Sequence, residues 1–253
     1  MKLPAYSVFR TSRTAMQVGH ANLYEIFLFR TRLRFRCPKG DAQLSPSLSG
    51  EIGIDRRPYI NTESRSSYLR EDSINLYFDT ILDTGWNLYP KGWFKKPAAT
   101  LLLSISVNAI NPPDRNSYND LMIPAEAEKW VRAQLAKNIS QSQNATFTSY
   151  GDYVELNFSD GRLALPDRSE EVDLNIEEVN GHTIFNYSPS ANRLTYYTAF
   201  GREDMLTFSF SIKSIVDSDN TQKIELIEKA NELVSAIIHS ISIEVDYRKS
   251  PSM

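Results

Sequence analysis

One turn dipeptide, Asn180-Gly181, constrains the fold of this chain more than any other feature of its sequence. Asn and Gly tolerate the positive φ angles that a two-residue β-hairpin turn requires. Such a turn pairs Val179 with His182 and fixes the register of both strands. That register collects four apolar residues on one face of the hairpin: Leu174, Ile176, Phe185 and Tyr187.

A second dipeptide, Asp160-Gly161, predicts another hairpin upstream by the same argument. Pairing Phe158 with Leu163 would gather Val154, Leu156, Phe158, Leu163 and Leu165 on one side. Further along, a strand is predicted in which Leu206, Phe208, Phe210 and Ile212 alternate with Thr207, Ser209 and Ser211. The apolar run from Thr100 to Ile110, ended by Pro112-Pro113, is typical of a central strand.

The apolar period changes from two to 3.6 in two segments, which predicts two helices. The segment from 124 to 139 begins with a proline that a first helical turn tolerates. Its stripe is Ala127, Trp130, Val131, Leu135 and Ile139. The segment from 221 to 239 has the stripe Ile224, Ile227, Val234, Ile237 and Ile241. A last strand is predicted after it, from the alternation of Ile241, Ile243, Val245 and Tyr247 with polar residues.

These elements predict an α+β fold, with one antiparallel sheet from about residue 73 to 247 covered by the two helices in an α/β/α-like sandwich. Residues 1–72 are predicted to form an arginine-rich, partly extended segment outside this domain, and residues 248–253 a tail. Whether the N-terminal segment packs as a separate unit or joins the core is left open. With 253 residues and 41% hydrophobic content, the chain can fill one sizeable core.

The charge and the single cysteine of this chain exclude few classes of function. The net charge of -3 and a pI near 5.7 create no global field that favours nucleic acid or an anionic membrane. Basic residues nevertheless outnumber acidic ones in residues 1–75, and the reverse holds in the remainder. Cys37 is the only cysteine, which excludes an intrachain disulfide and a multi-cysteine metal site. No signal peptide or membrane span is predicted, so a cytoplasmic location is expected, and a periplasmic one only if the start differs.

The segment from Leu23 to Arg36 is interpreted as one long strand with a charged face. Period-two alternation places Phe29, Leu33 and Phe35 on one side and Arg30, Arg32, Arg34 and Arg36 on the other. Four guanidinium groups on one face have more donors than the chain itself can easily satisfy, so a protein partner with an acidic surface is expected there. The alternatives are contact with nucleic acid and a solvated edge strand kept from aggregating by its charge.

A second candidate for a partner-binding surface is the aromatic segment that contains Gly85-Trp86 and Gly92-Trp93. Its candidate contact residues are Trp86, Trp93 and Phe94. The alternative is that these rings simply pack a loop onto the sheet.

The order of elements, with an Ile-rich helix following a hairpin rich in tyrosine and phenylalanine, resembles the Mog/PsbP-like superfamily and its bacterial relatives of the DcrB type. The likeness covers about Ser73 to Tyr247 and is carried by Val179-Asn180-Gly181, the Tyr196-Tyr197 strand, Met205 to Phe210 and Glu225 to Ile243. It implies an antiparallel sheet between helices, in proteins that mostly bind other proteins and share no active site. No functional residue is carried over from it.

Residues that could carry chemistry are dispersed. His20, His182 and His239 are too far apart for a short metal motif, and no nucleophile-elbow, zinc-protease or P-loop pattern occurs. Glu170, Glu171, Glu177 and Glu178 could supply a carboxylate pair, but they flank a predicted turn and strand where charges ordinarily face water. We therefore expect no enzyme activity, no metal and no cofactor.

The sequence favours a non-catalytic protein-binding module, such as a bacterial accessory protein or an immunity-type protein that neutralises a toxin. The alternative class is a small-ligand or cation binder, or an enzyme with dispersed carboxylates. A minor alternative is nucleic-acid contact through the arginine strand.

Overall fold

The computed structural model describes residues 10–11, 14–15, 21–28, 30–38, 40, 61–62, 69–71, 76–78, 80–89, 97–144, 172–190, 192–214 and 220–245. They form strands and two α-helices, joined by loops and one 3₁₀ helix (Pro112–Ser117). The strands are β1 (Arg10–Thr11), β2 (Thr14–Ala15), β3 (Asn22–Leu28), β4 (Thr31–Cys37), β5 (Asn61–Thr62), β6 (Leu69–Glu71), β7 (Leu76–Phe78), β8 (Thr80–Leu88), β9 (Ala99–Ala109), β10 (Asn175–Val179), β11 (His182–Ser190), β12 (Arg193–Ala199), β13 (Asp204–Ser214) and β14 (Ser242–Glu244). The helices are α1 (Pro124–Asn144) and α2 (Asn220–Ile238).

Two sheets dominate this α+β fold. The large sheet has six strands in the order β10-β11-β12-β13-β9-β8, and every neighbouring pair is antiparallel. The small sheet has the order β14-β4-β3-β5, antiparallel except for the short pairing of β3 with β5. Two further pairs, β1-β2 and β6-β7, form separate ribbons.

The middle of the large sheet follows the sequence pattern closely. In β9 every second residue is buried, and in β13 Leu206, Phe208, Phe210 and Ile212 are buried on the same side as Leu101, Leu103 and Ile105 of β9. The two strands pair over eleven consecutive positions, from Asp204 opposite Ala109 to Ser214 opposite Ala99. The predictions for Thr100 to Ile110 and for the Leu206 strand are confirmed.

The Asn180-Gly181 hairpin is also confirmed. Val179 lies opposite His182, and the two turn residues have φ angles of 51° and 81°. The predicted apolar face packs under α1 through Leu174, Phe185 and Tyr187, but Ile176 is 44% exposed because it lies on the edge strand. The hairpin predicted at Asp160-Gly161 lies outside the described residues.

Both helices lie where the periodicity predicts them. The predicted stripe of α1 is buried at Ala127, Trp130, Val131 and Leu135, and it packs on one face of the large sheet. In α2 the buried stripe is Leu226, Ala230, Leu233, Val234, Ile237 and Ile238. The prediction for Ile224 is wrong, since its side chain is 58% exposed at the margin of that stripe, and Ile227 is only partly buried.

The prediction of a single sheet between two helices needs correction. α1 covers one face of the large sheet, whereas the other face packs against the small sheet together with α2. The last strand does not join the large sheet either: β14 pairs with β4, with Ile243 opposite Leu33. A strand with one apolar face can bury that face in either sheet, so the alternation of its residues does not determine which strand it pairs with.

The predicted boundary at residue 73 does not separate two packed units within the described residues. Tyr24, Ile26, Leu28, Leu33 and Phe35 of the β3-β4 hairpin belong to the same core as β8, β9, β13 and α2. The described part of the N-terminal segment therefore contributes to the core of the domain.

Two polar side chains hold the end of α2 in place. The Asn180 side chain donates from Nδ2 to the carbonyl oxygens of His239, at 3.1 Å, and Ile241, at 2.7 Å. The Ser240 hydroxyl donates to the Ile237 carbonyl oxygen at 2.7 Å and accepts from the Arg36 amide at 2.8 Å. The Asn180 side chain in the hairpin turn thus satisfies two carbonyl groups that follow α2, and Ser240 links the helix end to β4; both contacts help to position β14.

We predict that Asn180→Gly lowers the free energy of unfolding by about 1 kcal/mol, because it removes both hydrogen bonds but keeps a residue suited to positive φ. Asn180→Ala should cost roughly 1 kcal/mol more, since alanine also resists the left-handed conformation. Urea unfolding followed by tryptophan fluorescence measures both values. Equal stability of the glycine variant and the unmodified protein would show that the Asn180 contacts contribute nothing.

Two neighbouring tyrosines of β12 point into the two different cores. Burial, with a smaller effect from Glu177, raises the pKa of Tyr196 to about 12. Burial, with a smaller effect from Tyr187, also raises the pKa of Tyr197. In the unfolded chain both phenols ionise near pH 10, so above this pH the unfolded state releases protons that the folded state retains.

Stability should therefore be unaffected by these groups below about pH 10 and should fall as the pH rises from about 10 towards 12. Tyr196→Phe removes one titrating group, so we expect its loss of stability over this range to be shallower. Urea midpoints at neutral pH and across the alkaline range test this. Identical alkaline slopes for the variant and the unmodified protein would contradict it.

Candidate functional site

The candidate site is the outward face of the small sheet, on the side opposite the core. Cross-strand pairing places Leu23 opposite Arg36, Glu25 opposite Arg34 and Phe27 opposite Arg32, while β14 adds Ser242 and Glu244 beside Arg34 and Arg32. We call this surface the arginine face; its residues are Leu23, Glu25, Phe27, Arg32, Arg34, Arg36, Ser242 and Glu244.

The arginine face exists because β4 alternates strictly. Leu33, Phe35 and Cys37 are completely buried, so the residues between them must point away from the core. The Phe35 ring stacks on Tyr24 at 5.3 Å between centroids and meets the edge of Phe208 at 6.3 Å. The arginine face therefore lies on a strand whose inward side chains are fully packed in the core.

Four charged side chains on this face form a closed arrangement, the charge quartet of Glu25, Arg32, Arg34 and Glu244. The Glu25 Oε1 atom lies 2.6 Å from Arg34 Nε and 3.5 Å from Arg32 Nη1. Glu244 binds Arg32 Nη2 through Oε2, and its Oε1 lies 3.7 Å from Arg34 Nη1. Each arginine thus contacts both carboxylates, and the quartet joins β3, β4 and β14.

The quartet corrects the reason for expecting a partner at the arginine strand. That expectation assumed that the guanidinium groups exceed their intrachain acceptors, but Arg32 and Arg34 each form ion pairs with both Glu25 and Glu244. Because Glu25 and Glu244 are contributed by flanking strands, only the sheet pairing reveals them. The predicted single strand from Leu23 to Arg36 is in fact the hairpin β3-β4, with Leu28 opposite Thr31.

Arg36 differs from its two neighbours. Its side chain is exposed and takes part in no ion pair within the residues that the structure describes. It lies opposite Leu23, whose side chain is 50% exposed. Arg30 is exposed in the turn that precedes β4 and is not on the face itself. An exposed cation beside an exposed apolar side chain is the part of this surface that is open to a partner.

Of the aromatic candidate residues, the structure describes Trp86, which is not at the surface. Trp86 is 0% exposed in β8, and its Nε1 donates to the Pro38 carbonyl oxygen at 3.1 Å. Gly40 approaches the same strand so closely that a Cβ there would lie 2.2 Å from Thr84 Oγ1. Packing therefore accounts for Trp86, while Trp93 and Phe94 lie outside the described residues.

The two described carboxylates among those considered for chemistry, Glu177 and Glu178, do not form a pair with each other. Glu177 and Glu178 are consecutive in β10 and point to opposite faces of the sheet. Glu177 lies 3.9 Å from His239 Nε2, whereas Glu178 accepts a hydrogen bond from the Thr183 hydroxyl at 2.5 Å. Glu170 and Glu171 are not among the described residues, and neither is His20.

Within the described ranges, no group of three or more histidine, cysteine, aspartate or glutamate residues could hold a metal ion. His182 borders the hairpin turn, and His239 contacts Ser235 one helical turn earlier, with Nδ1 2.8 Å from the Ser235 carbonyl oxygen. Neither helix of the described chain is long and apolar enough to cross a membrane.

We predict that Glu25→Gln lowers the free energy of unfolding by about 1–2 kcal/mol, because it removes the carboxylate shared by Arg32 and Arg34. Glu232→Gln is a matched control, since it removes one exposed carboxylate from α2 and should cost less than about 0.5 kcal/mol. Urea unfolding at low and high salt measures both, and the difference should shrink as salt screens the quartet. If both variants unfold at the same urea concentration, the quartet does not stabilise the fold.

Comparison with known proteins does not assign this chain to a family. The chain matches no protein-family model, no curated protein and no solved structure. Its function has to be inferred from the arrangement of its own residues, and the arginine face is one surface of the described chain on which exposed and charged groups converge.

Proposed function

We propose that this protein is a non-catalytic module that binds another protein through the arginine face. The observation that carries this proposal is Arg36, an exposed guanidinium without an ion pair in the described chain, next to the half-exposed Leu23. Arginine is enriched among the residues that contribute most to protein–protein affinity, and an adjacent apolar side chain helps to exclude water from the contact.

The charge of the face indicates the kind of partner. Three arginines and two glutamates define the arginine face, so its own residues carry an excess of one positive charge. A partner with an acidic surface complements this charge and would be steered towards it. The overall negative charge of the chain makes this positive patch distinct from the rest of the molecule.

The rigidity of the face also favours binding. Leu23 and Arg36 lie on strands whose inward residues Tyr24, Phe35 and Cys37 are buried. Little backbone order has to be gained on association, so the entropic cost of binding is small.

Within this proposal, the resemblance to the Mog/PsbP-like superfamily favours the role of a bacterial accessory protein or of an immunity-type protein that neutralises a toxin. Both roles require a stable complex with one protein and no catalysis. The resemblance itself remains a prediction.

We expect Arg36→Glu to weaken binding of the partner about tenfold or more, because it reverses the charge of the exposed guanidinium that has no ion pair among the described residues. The partner is isolated by affinity capture with the unmodified chain and mass spectrometry, and its affinity is then measured by calorimetry. Lys137→Glu is the matched control, since it reverses an exposed charge on α1, away from the small sheet.

Leu23→Ala provides a second variant that keeps the charge, with Ile224→Ala as its control. Both side chains are exposed apolar groups, but Ile224 lies on α2. Loss of affinity in Leu23→Ala alone supports the proposal. Unchanged affinity in both Arg36→Glu and Leu23→Ala would show that the arginine face is not the binding surface.

A further inference from the structure

Arginines at every second position of a strand form a row of positive charges that suits a phosphate backbone. Arg32, Arg34 and Arg36 occupy one face of β4, and alternate residues of a strand are about 6.8 Å apart. A row of this kind neutralises several phosphates at once, releases their counterions and binds nucleic acid without regard to sequence. A bare arginine face would therefore bind polyanions in general.

The charge quartet changes this property. Glu25 approaches β4 from β3 and Glu244 from β14, so the arginine row is flanked by a carboxylate on each side. The shortest contacts, between Glu25 Oε1 and Arg34 Nε at 2.6 Å and between Glu244 Oε2 and Arg32 Nη2, occupy donors that a phosphate would need. The exposed fractions of the four side chains, from 15% for Arg32 to 40% for Glu244, place the quartet at the surface that a ligand would touch.

We propose that Glu25 and Glu244 determine the specificity of the arginine face, by neutralising Arg32 and Arg34 so that the face accepts an acidic protein surface at Arg36 and rejects nucleic acid. This inference rests on the proposed function and goes beyond it, because it assigns a selective role to two residues that the partner need not contact. A folded partner can place one carboxylate on Arg36 and an apolar side chain on Leu23. A phosphate backbone needs the whole row, and it meets two fixed negative charges there.

The test uses a fluorescein-labelled oligothymidylate and a labelled DNA duplex as probes, with binding measured by fluorescence anisotropy from about 50 to 200 mM salt. The unmodified chain should bind both probes only weakly. The double variant Glu25→Gln with Glu244→Gln should bind at least about tenfold more tightly, with affinity that falls as salt rises. Three phosphate contacts on a single strand correspond to a slope of roughly -2 in log affinity against log salt, at about -0.7 per contact.

A charge-matched control separates this effect from net charge. Glu228→Gln with Glu232→Gln also removes two exposed carboxylates, but from α2. It should not gain binding. Adding Arg36→Glu to the Glu25 and Glu244 double variant should abolish the gained binding, because it shortens the row to two arginines and places a negative charge at its end. Near-ultraviolet circular dichroism verifies that each variant is folded. If the double variant does not fold, the single variant Glu244→Gln, which retains Glu25, takes its place and should show a smaller gain in affinity for the probes.

The outcomes are distinct from those of the proposed function. The inference is overturned if the Glu25 and Glu244 variants bind the probes no better than the α2 control, or if the unmodified chain already binds them as tightly. Neither result bears on the proposed function, which is tested separately by the effect of Arg36→Glu on affinity for the protein partner. Conversely, a partner that ignores Arg36→Glu overturns the proposed function even where the oligonucleotide gain is found.

Discussion

The burial of one face of β4 is the constraint on which the rest of this structure depends. Leu33 and Phe35 are completely buried, and Phe35 contacts both Tyr24 of its own hairpin and Phe208 at the centre of the large sheet. Each such side chain contributes roughly 1.5–3 kcal/mol when fully buried, more than a partly exposed ion pair provides. Hydrophobic burial therefore decides the orientation of β4, and the arginines between the buried residues are forced outward.

Once the arginines face outward, the flanking strands determine what they can do. Glu25 and Glu244 lie beside Arg32 and Arg34 only because β3 and β14 pair with β4 in the observed register. A shift of either strand by one residue would turn its carboxylate towards the core. The charge quartet thus links register and electrostatics. It leaves Arg36 as the exposed cation, which is why the proposed contact is local and not spread along the strand.

The position of β14 depends in turn on the end of α2. Asn180 and Ser240 hold the carbonyl groups of Ile237, His239 and Ile241, so the chain leaves the helix in the direction of β4. Asn180 combines two roles, since it adopts the positive φ of the hairpin turn and also donates to the helix end. A feature of the large sheet therefore helps to place Glu244 on the small sheet, more than sixty residues further along the chain.

The sequence by itself determined the elements whose signals are local. The Asn180-Gly181 turn, the alternation of β9 and β13, and the 3.6-residue period of α1 and α2 depend on neighbours two to four positions apart, so they could be read correctly. The β3-β4 hairpin was missed because its connection at residues 29–30 contains no glycine, asparagine or aspartate. Only the tertiary structure decided that Glu244 meets Arg32, 212 positions away, and that Trp86 is buried. Pairing across such distances depends on which apolar faces pack together, and a period along the chain carries no information about it.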